Sequence, residues 1–232
     1  MDKTVIFGGS GNLGLHIIKN LACESPSHSE IDITNYSELS SSSILDNATT
    51  IIHAAGYIDY EGCEKDPQKC LDVNVIGTYN LVKLCRARSI KLVYISSDNV
   101  FDGLSKKYFP GSPLCPKNVY GLSKASSEFM VRTLNNYLVI RAPFLRTEKF
   151  IYENAFVDQF TVRQYVDKAA KDIVECIGKN LSGIKHISGK YQSVYDLAKQ
   201  TKSTVGKAKT PKALKDILPM ELNLVDSPNK GI

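Results

Sequence analysis

The chain has 232 residues, 43% of them apolar and 23% charged, and its 29 Lys and Arg against 24 Asp and Glu give a net charge of +5. That balance fits one large domain, or a domain with a small appendage, and excludes a disordered, collagen-like or coiled-coil chain. No window approaches about 18 uninterrupted apolar residues, and Met1-Asp2-Lys3 runs straight into a strand pattern, so the expectation is a cytoplasmic protein with no transmembrane helix and no signal peptide.

Short β-branched runs alternate with helical patterns, which is how βαβ units around a parallel sheet read. The first run is Val5-Ile6-Phe7, followed by a helix expected from about Asn12 to Ala22. Ser40 to Ser43 reads as a helix end or loop. Ile51-Ile52 is the second run, closing at His53-Ala54-Ala55-Gly56. A helix from about Pro67 to Arg88 carries Leu71, Val75, Tyr79, Val82 and Cys85 at helical spacing, which predicts its buried face. Leu92-Val93-Tyr94-Ile95 and Leu138-Val139-Ile140 read as strands on either side of a helix over about Val119 to Leu134. Beyond them come a helix over about Val166 to Ile177 and a strand from Ile184 to Ile187. The Lys/Thr-rich piece Thr201 to Pro211 reads as an exposed connection. The runs show little alternating polarity, as expected of α/β strands covered on both faces.

Charge is unevenly spread: residues 161–232 hold 13 Lys and Arg against 7 Asp and Glu, an excess of 13 − 7 = +6. A basic third could face an anionic substrate or nucleic acid. A solvated Lys-rich face is the more ordinary reading, and no nucleic-acid partner is expected. The six cysteines show no C-x-x-C and no paired spacing with histidines, so free thiols are expected, with no metal site and no disulfide framework.

Two constellations carry chemistry. The first strand ends in Gly8-Gly9-Ser10-Gly11-Asn12-Leu13-Gly14 and opens a helix. Glycines there permit a tight turn and close backbone approach to a pyrophosphate, and the helix start offers N–H groups to that anion. The second is Tyr120-Gly121-Leu122-Ser123-Lys124, with Tyr and Lys on one helix face. A lysine ammonium beside a phenol favours the phenolate, which would tune Tyr120 for proton transfer near neutral pH. The preceding strand ends at Ser96-Ser97-Asp98, at the edge where open α/β sheets bind ligands, so Ser97 can hydrogen-bond a carbonyl oxygen that Tyr120 protonates.

The glycine turn, Ser97, Tyr120 and Lys124 together resemble the extended short-chain dehydrogenase/reductases. The string Ile95-Ser96-Ser97-Asp98-Asn99-Val100-Phe101-Asp102-Gly103, with Asp32-Ile33-Thr34, His53-Ala54-Ala55-Gly56 and Val73-Asn74-Val75, resembles the dTDP-4-dehydrorhamnose reductase branch over roughly residues 3–200. That resemblance implies a Rossmann-type doubly wound parallel sheet over residues 1–145. Residues 146–232 would form a small substrate lobe interleaved with the last sheet elements. It implies hydride transfer from nicotinamide to a nucleotide-linked 4-keto sugar, Tyr120 donating the proton, Lys124 holding the nicotinamide ribose and Ser97 orienting the carbonyl. The cofactor contacts it implies are Gly8, Ser10, Gly11, Asn12, Leu13, Gly14, Asp32, Ile33, His53, Ala54, Ala55 and Asn74 besides Tyr120 and Lys124. Asn74 reads equally well as a helix hydrogen-bonding residue. Ser97, Asp98, Asn99 and Arg146 would meet the substrate.

The chain departs from that pattern in three places. Only 32 − 14 − 1 = 17 residues separate Gly14 from Asp32, so a second strand is expected to be short or missing. Ser27 and His28 then align with the loop that meets the adenosine ribose, with no carboxylate clearly placed for the 2′-hydroxyl; Asp32 has a plausible spacing for that role but resembles the Asp-Ile pair beside adenine, so NADP(H) is favoured and NAD(H) remains open. Arg146 to Ala155 replaces a longer stretch of the substrate lobe, where Arg146 and Lys149 could contact a diphosphate or lie solvated. The early C-terminus predicts a reduced lobe, completed by a homodimer mate or a partner subunit, or suited to a smaller substrate. Two other functions use the same residues. One is sugar-nucleotide epimerisation. The other is a cofactor-binding regulatory subunit like that of methionine adenosyltransferase, which resembles this branch and shares its Ser-Ser-Asp-x-Val-Phe-Asp-Gly string.

Overall fold

A computed structural model describes residues 3–226. The apolar runs become strands β1 (Lys3–Phe7), β2 (Ala48–His53), β3 (Lys91–Ser96) and β4 (Tyr137–Arg141). Four short strands follow, β5 (Phe144–Leu145), β6 (Asn154–Phe156), β7 (Phe160–Thr161) and β8 (Gln164–Tyr165), before β9 (Gly183–His186), β10 (Gln192–Ser193) and β11 (Gly206–Ala208). The helices are α1 (Asn12–Ile18), α2 (Tyr36–Ser41), α3 (Tyr60–Lys65), α4 (Pro67–Leu71), α5 (Gly77–Arg88), α6 (Val119–Val131), α7 (Val166–Gly178), α8 (Val194–Lys199) and α9 (Lys212–Ile217).

The central sheet is wholly parallel, in the order β1-β2-β3-β4-β9. Successive side chains on a strand point to opposite faces, and here both faces are apolar. Val5, Phe7, Ile51, Leu92 and Val139 pack with Leu39 of α2, Leu81 and Leu84 of α5 and Val131 of α6. Ile6, Ile52, Val93, Leu138 and Ile140 pack with Leu13 and Ile17 of α1 and Val166 and Ile173 of α7. Helices on both faces make the sheet doubly wound, as expected from the uniformly apolar runs.

Beyond α1 the expected second strand is reduced to one residue. Glu24 bridges Val5, with Ile6 N–H donating to the Glu24 carbonyl at 2.8 Å and Glu24 N–H to Thr4 at 3.0 Å. Pro26, two residues on, has no N–H to extend the ladder.

Pro67 to Arg88 is helical throughout; of the predicted face Val82 and Cys85 are buried and Leu71 and Val75 half-buried, but Tyr79 points outward. A π-helical turn, Asp72–Ile76, lies between α4 and α5. Cys70, Asn74, Gly77, Thr78, Leu81 and Leu84 are buried as well, whereas Tyr79 is 50% exposed. Each extra residue in a helical turn rotates the following face, and here small polar side chains take the inward positions.

The lobe beside the sheet's C-terminal edge is built from three two-stranded pairings, β5 with β8, β7 with β10 and β6 with β11. Phe150, Ala155, Val194, Ala198 and Val205 form one of its clusters. Thr201 to Pro211 is therefore not simply an exposed connection: it contains β11, and Val205 and Thr210 are buried. Four lysines of the basic C-terminal third lie in surface ion pairs, Lys168 with Asp172, Lys179 with Glu175, Lys185 with Asp226 and Lys215 with Asp158, which is the solvated face. All six cysteines are free. Among the described residues no helix is long and apolar enough to cross a membrane.

Candidate active site

A cavity of about 380 Å³ opens along the C-terminal edge of the sheet. One end is the turn between β1 and α1. Gly8 sits at φ +87°, where a side chain is strained, and a Cβ there would lie 2.4 Å from the Ala55 nitrogen. The turn closes with Gly11 N–H donating to the Gly8 carbonyl at 3.1 Å. Gly11 caps α1 with no side chain, so the first-turn N–H groups face the cavity uncapped. Gly8, Ser10, Gly11, Asn12, Leu13 and Gly14 all line it. A cradle that a Cβ would fill and uncapped helical N–H groups fit a dinucleotide pyrophosphate.

The other end of the cavity carries Ser96, Tyr120 and Lys124, with Phe144 and Arg146 across from them. Asn118 caps α6 by accepting from Gly121 N–H at 2.7 Å, and its amide donates to the Ile217 carbonyl at 2.9 Å, which ties the helix start to α9. A Cβ on Gly121 would lie 2.2 Å from the Asn99 carbonyl, so glycine there lets α6 approach the end of β3. That approach sets Tyr120 near Ser97. Ser97 Oγ accepts from Asn99 N–H at 3.2 Å and donates to Asp98 at 3.1 Å.

Burial decides the electrostatics. The Tyr120 phenol is pushed well above its usual range by burial first, then by the Tyr60 phenol, with Ser97 opposing. The expected depression of Tyr120 by Lys124 is not what governs this pair: desolvation outweighs it and holds the phenol protonated. Lys124 is pushed down to about 7, again by burial, with Glu128 opposing.

The structure brings His28, Asp32, Ile33, Ala54 and Ala55 to the same cavity wall. His28 stands 3.6 Å from Asp32, and its side chain is 85% exposed. Ser27 does not line the cavity: its hydroxyl and N–H both donate to Glu30, at 2.7 and 2.8 Å. The loop after α1 thus carries two carboxylates, Asp32 on the cavity wall, as its spacing allowed, and Glu30 turned to Ser27. His53 and Asn74 are also off the wall. His53 is buried beneath it, bonded to Thr78 Oγ1 at 2.9 Å. Asn74, in the π turn, clamps the Tyr57 backbone through both amide atoms and donates to Ser123 at 2.9 Å, so it holds a loop against α6. Asp98 and Asn99 are buried beside Ser97. Arg146 bridges the cleft, donating to the Ile58 carbonyl at 2.7 Å, and Lys149 is not on the wall.

Two groups escape the sequence reading. Tyr60 accepts from Asn99 Nδ2 at 3.1 Å and meets the Tyr120 ring edge-on at 5.1 Å. It lies in the segment after β2, where a ligand-facing position was legible from topology. Arg163 stands 3.9 Å from Asp98, whose Oδ2 is buried without a hydrogen-bond partner; nothing in the sequence pattern marks it.

The sequence matches the family described as the RmlD substrate binding domain over residues 2–223. A dTDP-4-keto-6-deoxy-D-glucose reductase of Streptomyces niveus is 28% identical over 232 residues, covering 88% of this chain and 79% of the relative. The β subunit of methionine adenosyltransferase 2 from Xenopus laevis is 33% identical over 122 residues, 52% of this chain and 36% of the relative. Other curated reductases are spanned over about half their length, 44 to 55%. A Bacillus anthracis dTDP-4-dehydrorhamnose reductase in complex with NADP superposes with a TM-score of 0.84 at 24% identity, covering 97% of this chain and 90% of the other.

Proposed function

Because the chain belongs to the RmlD substrate-binding domain family, we propose that it is an NAD(P)H-dependent oxidoreductase that reduces a nucleotide-linked 4-keto sugar. One observation carries the reading: a single cavity joins the glycine turn to Tyr120 and Lys124. A bound nicotinamide would supply the hydride to the carbonyl carbon. Tyr120, kept protonated by burial, gives its phenolic proton to the carbonyl oxygen, and the product is the alcohol. Ser97, whose hydroxyl donates to Asp98 here, would turn that proton to the same oxygen, and Lys124 would hold the ribose hydroxyls. The lobe from residue 146 onward supplies Arg146 on the cavity wall, and Arg163 near Asp98, as cations for a substrate diphosphate. NADP(H) is the favoured cofactor, supported by His28 at the cavity wall and by the NADP held by the Bacillus anthracis reductase.

The test is oxidation of NADPH and NADH with dTDP-, UDP- and GDP-linked 4-keto sugars. Tyr120→Phe should lower kcat by about 10²–10⁴-fold, the usual worth of general acid catalysis, while cofactor affinity moves less than about tenfold. Similarity to the methionine adenosyltransferase subunit supports one competing reading, a regulatory subunit. Tight cofactor binding with no turnover of any keto sugar would favour it.

A further inference from the structure

Lys124 has an unusual support. Its Nζ lies 4.2 Å from the centroid of the Tyr94 ring, on the neighbouring strand β3. Tyr94 is fully buried, yet its hydroxyl closes no hydrogen bond of good geometry. A buried tyrosine ordinarily finds a partner for its O–H, so the contact made here is the one made by the ring. The charged neighbour on α6, Glu128, is already committed to Arg141 at 2.7 Å and to Ser96 at 2.5 Å.

The other groups around the ammonium are neutral. His53, on β2, stacks obliquely on Tyr94 at 5.4 Å between ring centroids. Thr78 spends its hydroxyl proton on the Asn74 carbonyl at 2.5 Å, so it accepts from His53, and the imidazole is the Nε2–H tautomer. Burial, and then the Lys124 charge, hold His53 down to about 3, so it adds no positive charge. Its Nδ1 lone pair is left buried and unpartnered. Cys70, on α4, is buried nearby, and Tyr120 is a protonated phenol on the cavity wall.

We propose that Tyr94 is a positioning residue whose aromatic face keeps the Lys124 side chain charged and aimed into the cavity. The face of an aromatic ring carries partial negative charge, and its attraction for an ammonium is strongest where water is excluded. Neutral Lys124 would lose the charge that a ribose or a developing phenolate needs. The ring therefore extends the pH range over which the site works. This deepens the reductase reading, since the consequence for turnover rests on it; the effect on Lys124 protonation does not.

The experiment compares Tyr94→Phe with replacement of Tyr94 by pentafluorophenylalanine. The two rings are close in shape, but fluorination reverses the charge on the face. Lysine Nζ signals of the ¹⁵N-lysine protein, assigned with Lys124→Ala, report the Lys124 midpoint without cofactor or substrate. Thermal melts confirm that both variants fold. The phenylalanine protein should keep the midpoint near about 7. The fluorinated one should lower it by about one pH unit or more, the size expected of a desolvated cation–π contact. The alkaline limb of kcat/KM should move with it. Equal midpoints in the two variants would overturn the proposal. A shifted midpoint in a protein that turns over no keto sugar would leave Tyr94's role standing and overturn the reductase reading.

Discussion

Acidification from pH 6.5 to 5 should weaken the fold through two histidines. His53 and His186 are 1% and 6% exposed. Burial, with Lys124 beside the first and Arg141 beside the second, holds them at about 3 and about 4. The unfolded chain titrates near the ordinary value of about 6.5. With folded values depressed, the unfolded state takes up the protons first. The stability of the neutral form is complete above about pH 6.5 and is lost as pH falls towards the folded values. At pH 5 each ring is about 1.5 pH units below its unfolded midpoint, which costs about 2 kcal/mol per ring and about 4 kcal/mol for both. Two other shifted groups act outside this window. The Asp158 carboxyl, held down by Lys215 and Thr210, titrates below it, and Lys124 changes charge above it. Urea unfolding at half-unit steps between pH 7 and 5 gives the profile. His53→Asn and His186→Asn should each remove about half of the slope. A midpoint independent of pH across that range, or a double variant with the slope intact, would refute the reasoning.

Three further outcomes are expected. Gly11 has φ −75° and ψ 165°, and a Cβ there would meet only the Gly8 carbonyl, at 3.3 Å. Gly11→Val should therefore leave Tm within a few degrees while raising the cofactor Kd by about 100-fold or more, as titrated by NAD(P)H fluorescence. His28→Asp adds a third carboxylate to the loop holding Glu30 and Asp32, and should lower the NADPH-over-NADH preference by at least about tenfold. Glu128→Leu strands a guanidinium that is 1% exposed and should cost about 3–5 kcal/mol in denaturant unfolding, with the Arg141→Leu double variant recovering much of the loss.

The sheet and the glycine turn were legible because their signals are local. Val5-Ile6-Phe7 and Leu92-Val93-Tyr94-Ile95 are apolar on both faces, and Gly8 to Gly14 sits directly between strand and helix. Tyr120 and Lys124 were legible as a pair, but their electrostatics were not, since burial of the phenol is a tertiary property. His53, Asn74 (for which a hydrogen-bonding role was read equally) and Thr78 (which no motif singled out) were hidden for the opposite reason. Polar residues rarely mark a core, yet these three are buried because they bond one another and the Tyr57 loop. The Glu128–Arg141–His186 network joins elements up to 58 residues apart (186 − 128), and no periodicity announces such a contact. The Ser27 contact failed at short range, where Glu30 captured a hydroxyl that the alignment had reserved for a ribose.

The π turn at Asp72–Ile76 sets a rule for what lengths this chain accepts. Deleting one residue from it would restore an ordinary helical repeat, and nothing in local propensity opposes that. An α-helix advances about 100° per residue, however, so everything on one side of the deletion would swing by that angle relative to the other. With α5 fixed by Leu81 and Leu84 against the sheet, the swing falls on α4. Cys70 would leave its place beside Tyr120 and Cys63, and Asn74 would let go of either Tyr57 or Ser123. A one-residue deletion here should be far more damaging than one in the exposed stretch around Leu104, which is 84% exposed. A deletion scan across the two segments would show it as a sharp asymmetry. What looks like an irregularity in the helix works as a phase lock between α6 and the Tyr57 loop on the cavity wall.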